Sequence, residues 1–338
     1  MTPQGHRIET SRRSRQTRKS LSANALGRFS SEPVRVAPRL LLAGLDMYLK
    51  RKTINTKVSI SGIGLHSGIY TQVELHPAHA GSGITFVRAD LGLRIPALQA
   101  STTALDHATT VGRDDVSVGT VEHLLSALMA YGITDLDIHI NGPEVPIIDG
   151  SALPFMHLID AAGVRELAAD IRVLRITEPI EVVDGNKSIR MTPSSRLVVK
   201  YKIDFAHPTI GKQALQFDFH NDSFLKKIAP ARTFGFKHEV DKLRAAGLAR
   251  GGSVENCIVL DDGGVMNGPL RFRDEFVRHK ILDLVGDLAL IGRPVVGEIT
   301  AYKAGHALHS RFVEKILRAA EAEDGAPAVA ARSLESFA

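Results

Sequence analysis

The stretch "RHKILDLVGD", residues 278–287, places His279, Asp283 and Asp287 at intervals of four. On a helix that spacing stacks all three on one face. Between them stand Ile281, Leu282, Leu284 and Val285, which belong in a core. A carboxylate buried among such neighbours costs on the order of several kcal/mol unless a cation or a metal compensates it. A His and a carboxylate at i and i+4 are also spaced to clasp one ion from one helix. On this pattern alone a solvated face or an ordinary ion pair remains open.

A second constellation is "TVEH", in which His123 directly follows Glu122 at the expected first turn of a helix. A catalytic zinc commonly takes three protein ligands and keeps one position for water, with a carboxylate nearby to take the water's proton. His123, His279 and Asp283 are candidate ligands, and Glu122 is the candidate base. Two separate helices would have to meet to assemble that set, and the dipeptide alone is a weak signal. His306, in "AYKAGHALHS", is either one loop histidine among fourteen or a second acid–base group. Asp287, one turn beyond the ligand pair, is its candidate partner. Lys280 is either a surface lysine or a group that stabilises anionic charge in the site. Thr233, in "ARTFGF", is by default a buried structural threonine, although its hydroxyl could donate to an oxyanion. "GIGLHSG" is not a nucleotide fingerprint, because it lacks the GxGxxG spacing and a following helix. "NGPEVPIIDGSA" reads as a rigid connector.

The elements that must position these residues follow from periodicity. "TINTKVSISGIGLHSG" and "YTQVELHPA" alternate and are separated by glycines, which predicts a hairpin. "TVEHLLSALMAYGI" has Val121, Leu124, Leu125 and Leu128 at helical spacing, with Thr120 as N-cap and Gly132 as stop. "TDLDIHING" reads as a strand and "PFMHLIDAAGV" as a short helix. The later half begins again with the strands "IRVLRITEPIEVVDG", "KSIRMTP" and "RLVVKYKIDF". A helix over about 274–291 follows, then the strand "VVGEITAYKAG" and the helix "RFVEKILRAAEAE". Each half runs strands, helix, strand, helix, which points to two α+β domains of related layout joined near 168–172.

Composition bounds the function. A chain of 338 residues has room for two ordinary domains, and 44% hydrophobic with 23% charged residues is globular. No apolar run is long enough to span a membrane. The single cysteine, Cys257, excludes an intrachain disulfide and a multi-cysteine zinc site, and fits a reducing cytoplasm. Any metal must therefore be held by histidine and carboxylate. The formal charge of +5 belongs to the beginning of the chain. Residues 1–52 hold twelve Lys or Arg against three Asp or Glu, whereas the other 286 residues hold thirty against thirty-four. The mildly acidic body argues against a nucleic-acid partner. The leader, 1–51, has no strand or helix period. It reads as a disordered basic tail, a transit-like segment, or upstream sequence from a start codon placed before Met47, the last being favoured. Deleting 1–46 is expected to leave activity intact. Residues 323–338 read as a frayed tail.

Together these pieces resemble a known family, the zinc-dependent UDP-3-O-acyl-N-acetylglucosamine deacetylases of lipid A biosynthesis. The resemblance rests on "VSISGIGLHSG", "TVEHLLSAL", "INGPEVPIIDGSALPF", "IAPARTFGF", "FRDEFVRHKILDLVGDLALIG" and "TAYKAGHALH", which fall in order across about 53–315. It implies an α+β fold of two related βααβ-type domains, 52–170 and 171–322, packed as layers with the active site between them. Each domain would carry a small insert, the second being a βαβ unit at about 235–262 that forms a passage for an acyl chain. It implies one Zn²⁺ per chain on His123, His279 and Asp283, with Glu122 as general base and His306 as the second acid–base group beside Asp287. It further implies that Thr233 helps to hold the oxyanion and that Lys280 and Phe234 contact substrate. The reaction implied is hydrolysis of the N-acetyl group of the UDP-linked, 3-O-acylated sugar, the committed step of lipid A biosynthesis. The enzyme would be a cytoplasmic monomer with no transmembrane segment and at most weak association with the membrane surface. The segment 105–112 varies within the family, so acyl-chain length does not carry over. Rival readings are another zinc amidase acting on a different acylated amino sugar, and a non-catalytic binder docked through its basic leader. A binder has no use for Glu122.

Overall fold

The computed structural model of the chain describes residues 47–324, and the expectations placed on 1–46 and 325–338 lie outside the described residues. The first described element overlaps the expected leader. Residues Tyr48–Ile54 form a strand that pairs antiparallel with Val164–Arg172. Its basic residues do not keep it out of the fold: the Arg51 guanidinium reaches the fully buried Asp135 at 3.0 Å. Residues 48–51, expected in the leader, therefore belong to a strand of the described fold, and the expected join near 168–172 falls inside a continuous strand.

Two sheets carry the structure. The first is built from β1 (Val58–Ile63), β2 (Tyr70–Pro77), β3 (Ile84–Arg88), β4 (Leu93–Pro96) and β5 (Leu136–Ile140), in spatial order β1-β2-β5-β3-β4. The second is built from β6 (Ile180–Asp184), β7 (Lys187–Thr192), β8 (Leu197–Asp204), β9 (Lys212–Asp218) and β10 (Val295–Tyr302), in order β6-β7-β10-β8-β9. In each sheet the third and fourth strands of that order run parallel, and in the second the short strand Leu174–Arg175 also pairs in parallel with β10. The others pair antiparallel, including the expected hairpin β1–β2. Alternation explains which face is apolar: Val73 and Leu75 of β2 are buried, as are Ile189 and Met191 of β7.

The helices repeat as well. Helix α1 (Glu122–Tyr131) stands between β4 and β5, and α2 (Leu153–Ala162) follows β5. Helix α3 (Glu275–Leu288) stands between β9 and β10, and α4 (His306–Asp324) follows β10. A small insert precedes α1 and another precedes α3. The first is a three-stranded sheet of Thr102–Ala104, Thr110–Arg113 and Val116–Val118. In the second, Phe234–Phe236 and Ile258–Asp261 pair in parallel across the helix Lys237–Ala245, a βαβ unit. The overall class is α+β, as expected.

Helix α1 ends as its sequence predicts, with Gly132 at φ 68° accepting the left-handed turn. Its start differs. Thr120 does not cap it; the residue sits at φ 55° and its hydroxyl donates to Glu144 at 2.7 Å. A buried carboxylate that also takes the His66 and Ser67 amides claims the hydroxyl first. Helix α3 is shorter than expected because its last turn, Ala289–Ile291, tightens to a 3₁₀ helix before Gly292. No helix among the described residues is long and apolar enough to cross a membrane.

Candidate active site

Helices α1 and α3 meet at a glycine. A Cβ added at Gly286 would lie 2.1 Å from the Glu122 carbonyl oxygen, so only glycine permits this approach. The contact brings the start of α1 against the polar stripe of α3. Flanking apolar side chains on both helices are buried, among them Leu124, Leu125, Leu282 and Val285. Glu122, His123, His279, Asp283 and Asp287 are all buried with them. His306, the first residue of α4, joins them beside Asp287.

Three of these side chains turn electron pairs toward one point. The ligand-type atoms of His123, His279 and Asp283 all lie within 4.8 Å of one another. Asp283 Oδ1 is 3.3 Å from His279 Nε2 and 3.8 Å from His123 Nε2. His279 Nδ1 lies 3.1 Å from the Ala231 carbonyl, which accepts its hydrogen and leaves Nε2 bare. Burial, reinforced by His279, drops His123 to about 3, and burial lowers His279 too, so both imidazoles are neutral. Burial alone would raise Asp283, but His279, Lys280 and His306 outweigh it and hold the carboxyl well below the usual range. Two neutral imidazoles and a carboxylate aimed at one another repel unless a cation lies between them. The set fits a divalent metal of zinc's preferences. His123 Nδ1 is also buried without a hydrogen-bond partner among the described residues.

Around this triad sit the groups that titrate near neutrality. Burial, aided by Asp287 and Asp283, lifts Glu122 to about 7 against the pull of His306. Its Oε2 accepts from the Thr109 amide at 3.1 Å. Asp287 accepts through Oδ2 from His306 Nδ1 and from His309 Nδ1, each at 2.8 Å, and through Oδ1 from the Thr109 hydroxyl at 2.6 Å. Burial opposes its charge, yet His306 and these hydrogen bonds hold it at about 2. Burial would lower His306, but the Asp287 charge and hydrogen bond, with Glu122 and Asp283, raise it to about 9. Lys280 Nζ contacts Asp283 Oδ2 at 2.8 Å and lies 5.6 Å from the Phe234 ring centre, at the edge of the same cluster.

Thr233 and Phe234 lie on the neighbouring segment. The Thr233 amide donates to the Gly150 carbonyl at 2.7 Å, and the Phe234 ring centre is 6.3 Å from that of His279. Glu122, His123, His279, Lys280, Asp283, Asp287, His306 and Phe234 thus share one connected neighbourhood, which Thr233 adjoins through the chain next to Phe234. Sequence reasoning missed Thr109, which is 178 residues from Asp287 and carries no motif. It also missed His309, although "HALH" puts that ring one turn beyond His306. Tyr201, whose hydroxyl lies 3.1 Å from His309 Nε2 and donates to the Ala304 carbonyl, has no sequence signal beyond its strand.

The UDP-3-O-acyl N-acetylglycosamine deacetylase (LpxC) family model matches residues 51–318. A UDP-3-O-acyl-N-acetylglucosamine deacetylase of Myxococcus xanthus is 50% identical over 270 residues, covering 79% of this chain and 86% of that protein. One of Helicobacter pylori (strain J99) is 43% identical over 291 residues, covering 86% of this chain and 98% of its own. The match runs through both sheets and across every element that supplies the buried cluster, and at this identity the chain belongs to the UDP-3-O-acyl N-acetylglycosamine deacetylase family.

Proposed function

We propose that the protein hydrolyses the acetamide of UDP-3-O-(3-hydroxyacyl)-N-acetylglucosamine, releasing acetate and the free glucosamine amine, the committed step of lipid A biosynthesis. One observation carries the reading: a buried carboxylate at about 7 and a buried imidazole at about 9 flank a convergent His, His, Asp set. That is the complement an amide hydrolase needs, a base that is free near neutrality and an acid still charged there.

His123, His279 and Asp283 would hold the zinc, which when bound would supply Lewis-acid chemistry, polarising a carbonyl and lowering the pKa of water. Glu122 takes the proton from the attacking water. The Thr233 hydroxyl donates to the oxygen that gains charge, and Lys280 offsets negative charge beside it. His306 holds its second proton on Nε2, because Nδ1 is committed to Asp287. It gives that proton to the leaving nitrogen, without which the amine cannot depart. Phe234 contributes an apolar wall.

The two-domain reading, 52–170 and 171–322 packed as layers with the site between them, is supported by the repeated order of strands and helices. The strand at 48–51 extends the first unit. The βαβ insert within about 235–262 is proposed as the acyl-chain passage, and the enzyme as a cytoplasmic monomer with one zinc. The test is direct. Purified protein is assayed for zinc per chain and for acetate release from the UDP-linked acyl sugar, before and after chelation. Metal-independent release, or none from the zinc-loaded protein, would overturn the proposal.

A further inference from the structure

Glu275 is fully buried, yet it lies outside the set of groups that react. It stands in the first turn of α3, four residues before His279, so the two side chains leave the same face of the helix. They grip the same peptide unit. His279 Nδ1 donates to the carbonyl of Ala231 at 3.1 Å, and Glu275 Oε1 accepts the amide of Arg232 at 3.0 Å. That carbonyl and that amide belong to one peptide plane and point to its opposite edges.

The Arg232 side chain then folds back onto the same carboxylate. Its Nε donates to Oε1 at 2.8 Å and its Nη2 to Oε2 at 3.1 Å, while the Arg271 amide donates to Oε2 at 2.5 Å. A helix-capping acid has no need of a partly buried guanidinium, and four donors fill the acceptor sites of the carboxylate. The next residue along the chain is Thr233. Its amide is held by Gly150 and its carbonyl accepts from Ile258 at 2.8 Å. Gly150 is at φ +83°, and a Cβ there would lie 2.3 Å from the Asn256 carbonyl oxygen, so this side of the clamp is equally tight. The metal-ligand helix and the threonine segment are thus locked through a single peptide.

We infer that Glu275 and Arg232 are positioning residues, which register the Thr233 hydroxyl and the His279 ring against each other. The inference rests on the amidase reading of the site. Neither residue touches the reacting atoms; each acts through a neighbour that does.

The test uses Glu275→Gln, which keeps shape but turns one acceptor into a donor, and Glu275→Asp, which keeps charge but retracts it. Metal content, kcat, KM and the visible spectrum of the cobalt-loaded protein are measured for each. Both variants are expected to bind metal, to keep KM within about twofold and to lose kcat by about ten- to a hundredfold. The cobalt bands shift because the His279 ring is released. Adding Thr233→Ala to Glu275→Gln removes little more kcat, since both changes disable the same donor. An unchanged kcat and spectrum, or losses that simply multiply, would overturn the inference. So would failure of both variants to fold, which would make Glu275 a structural residue only. If the parent enzyme releases no acetate, the amidase reading fails, and the cobalt spectra still decide whether the clamp exists.

Discussion

His306 Nδ1 lies 2.8 Å from Asp287 Oδ2, and this bond leaves Nε2 as the free end of the ring, 3.9 Å from Asp283. A histidine so held is charged where an ordinary one is not, and it presents its mobile proton toward the metal-binding set. The Asp287→Asn variant therefore tests the acid directly. With the charge removed, burial meets far less opposition and the His306 pKa falls from about 9. Activity at pH 8 is expected to fall by roughly 10²-fold or more, while zinc content stays at the parent level. A variant that retains full activity at pH 8 would exclude His306 as the acid.

The pH profile of kcat/KM should be a bell. Glu122 must be ionised, so activity rises as pH passes upward through about 7, and a bound cation moves that limb lower by favouring the carboxylate. His306 must be protonated, so activity falls above about 9. A profile that is flat from 6 to 10 would contradict both assignments.

Glu122→Ala should keep its metal, since Glu122 lies outside the His123, His279 and Asp283 set. Turnover should fall by roughly 10²- to 10⁴-fold, the usual contribution of a positioned base. Zinc analysis beside an acetate assay separates loss of the base from loss of the ion.

His309 shares the Asp287 oxygen with His306, and its own pKa is lowered by burial, so it donates a neutral hydrogen bond. Replacing it with leucine leaves that bond unmade and should cost about 1.5–3 kcal/mol of stability in urea unfolding. The same change concentrates the Asp287 charge on His306. The descending limb of the pH profile then moves to higher pH, and His309→Asn, which restores a donor, moves it back.

Gly286→Ala tests the helix contact. With only 2.1 Å to the Glu122 carbonyl, the new methyl forces α1 and α3 apart. Overpacking of this kind costs about 1–3 kcal/mol. Here it also separates His123 from His279 and Asp283, so zinc affinity, read by chelator competition, should fall in step with stability.

What was legible in the sequence was local. The i, i+4 stripe of α3, the Glu122–His123 pair and the alternation of the strands each depend on neighbours within a turn or a strand. They gave the α+β class and the candidate ligands. What was not legible was contact at a distance. Thr109, between two strands of the first insert, meets Asp287 only in the folded chain, and Thr120 leaves its expected capping position because Glu144, 24 residues on, binds its hydroxyl. Glu275 carries no signal in the sequence, since its partner Arg232 is 43 residues away. The strand at 48–51 was hidden by its charge, because Lys50, Arg51 and Lys52 look like leader until Asp135 is found beside them.

The matching strand orders β1-β2-β5-β3-β4 and β6-β7-β10-β8-β9 make α1 and α3 counterparts, each in the same slot of its own half. Counterparts though they are, they have divided the labour. On the proposed mechanism, one carries the base and a single ligand, and the other carries two ligands and the anchor of the proton donor. On that reading neither half owns a whole reaction, and a split or transplanted unit of this chain is expected to be inert until it meets its opposite number.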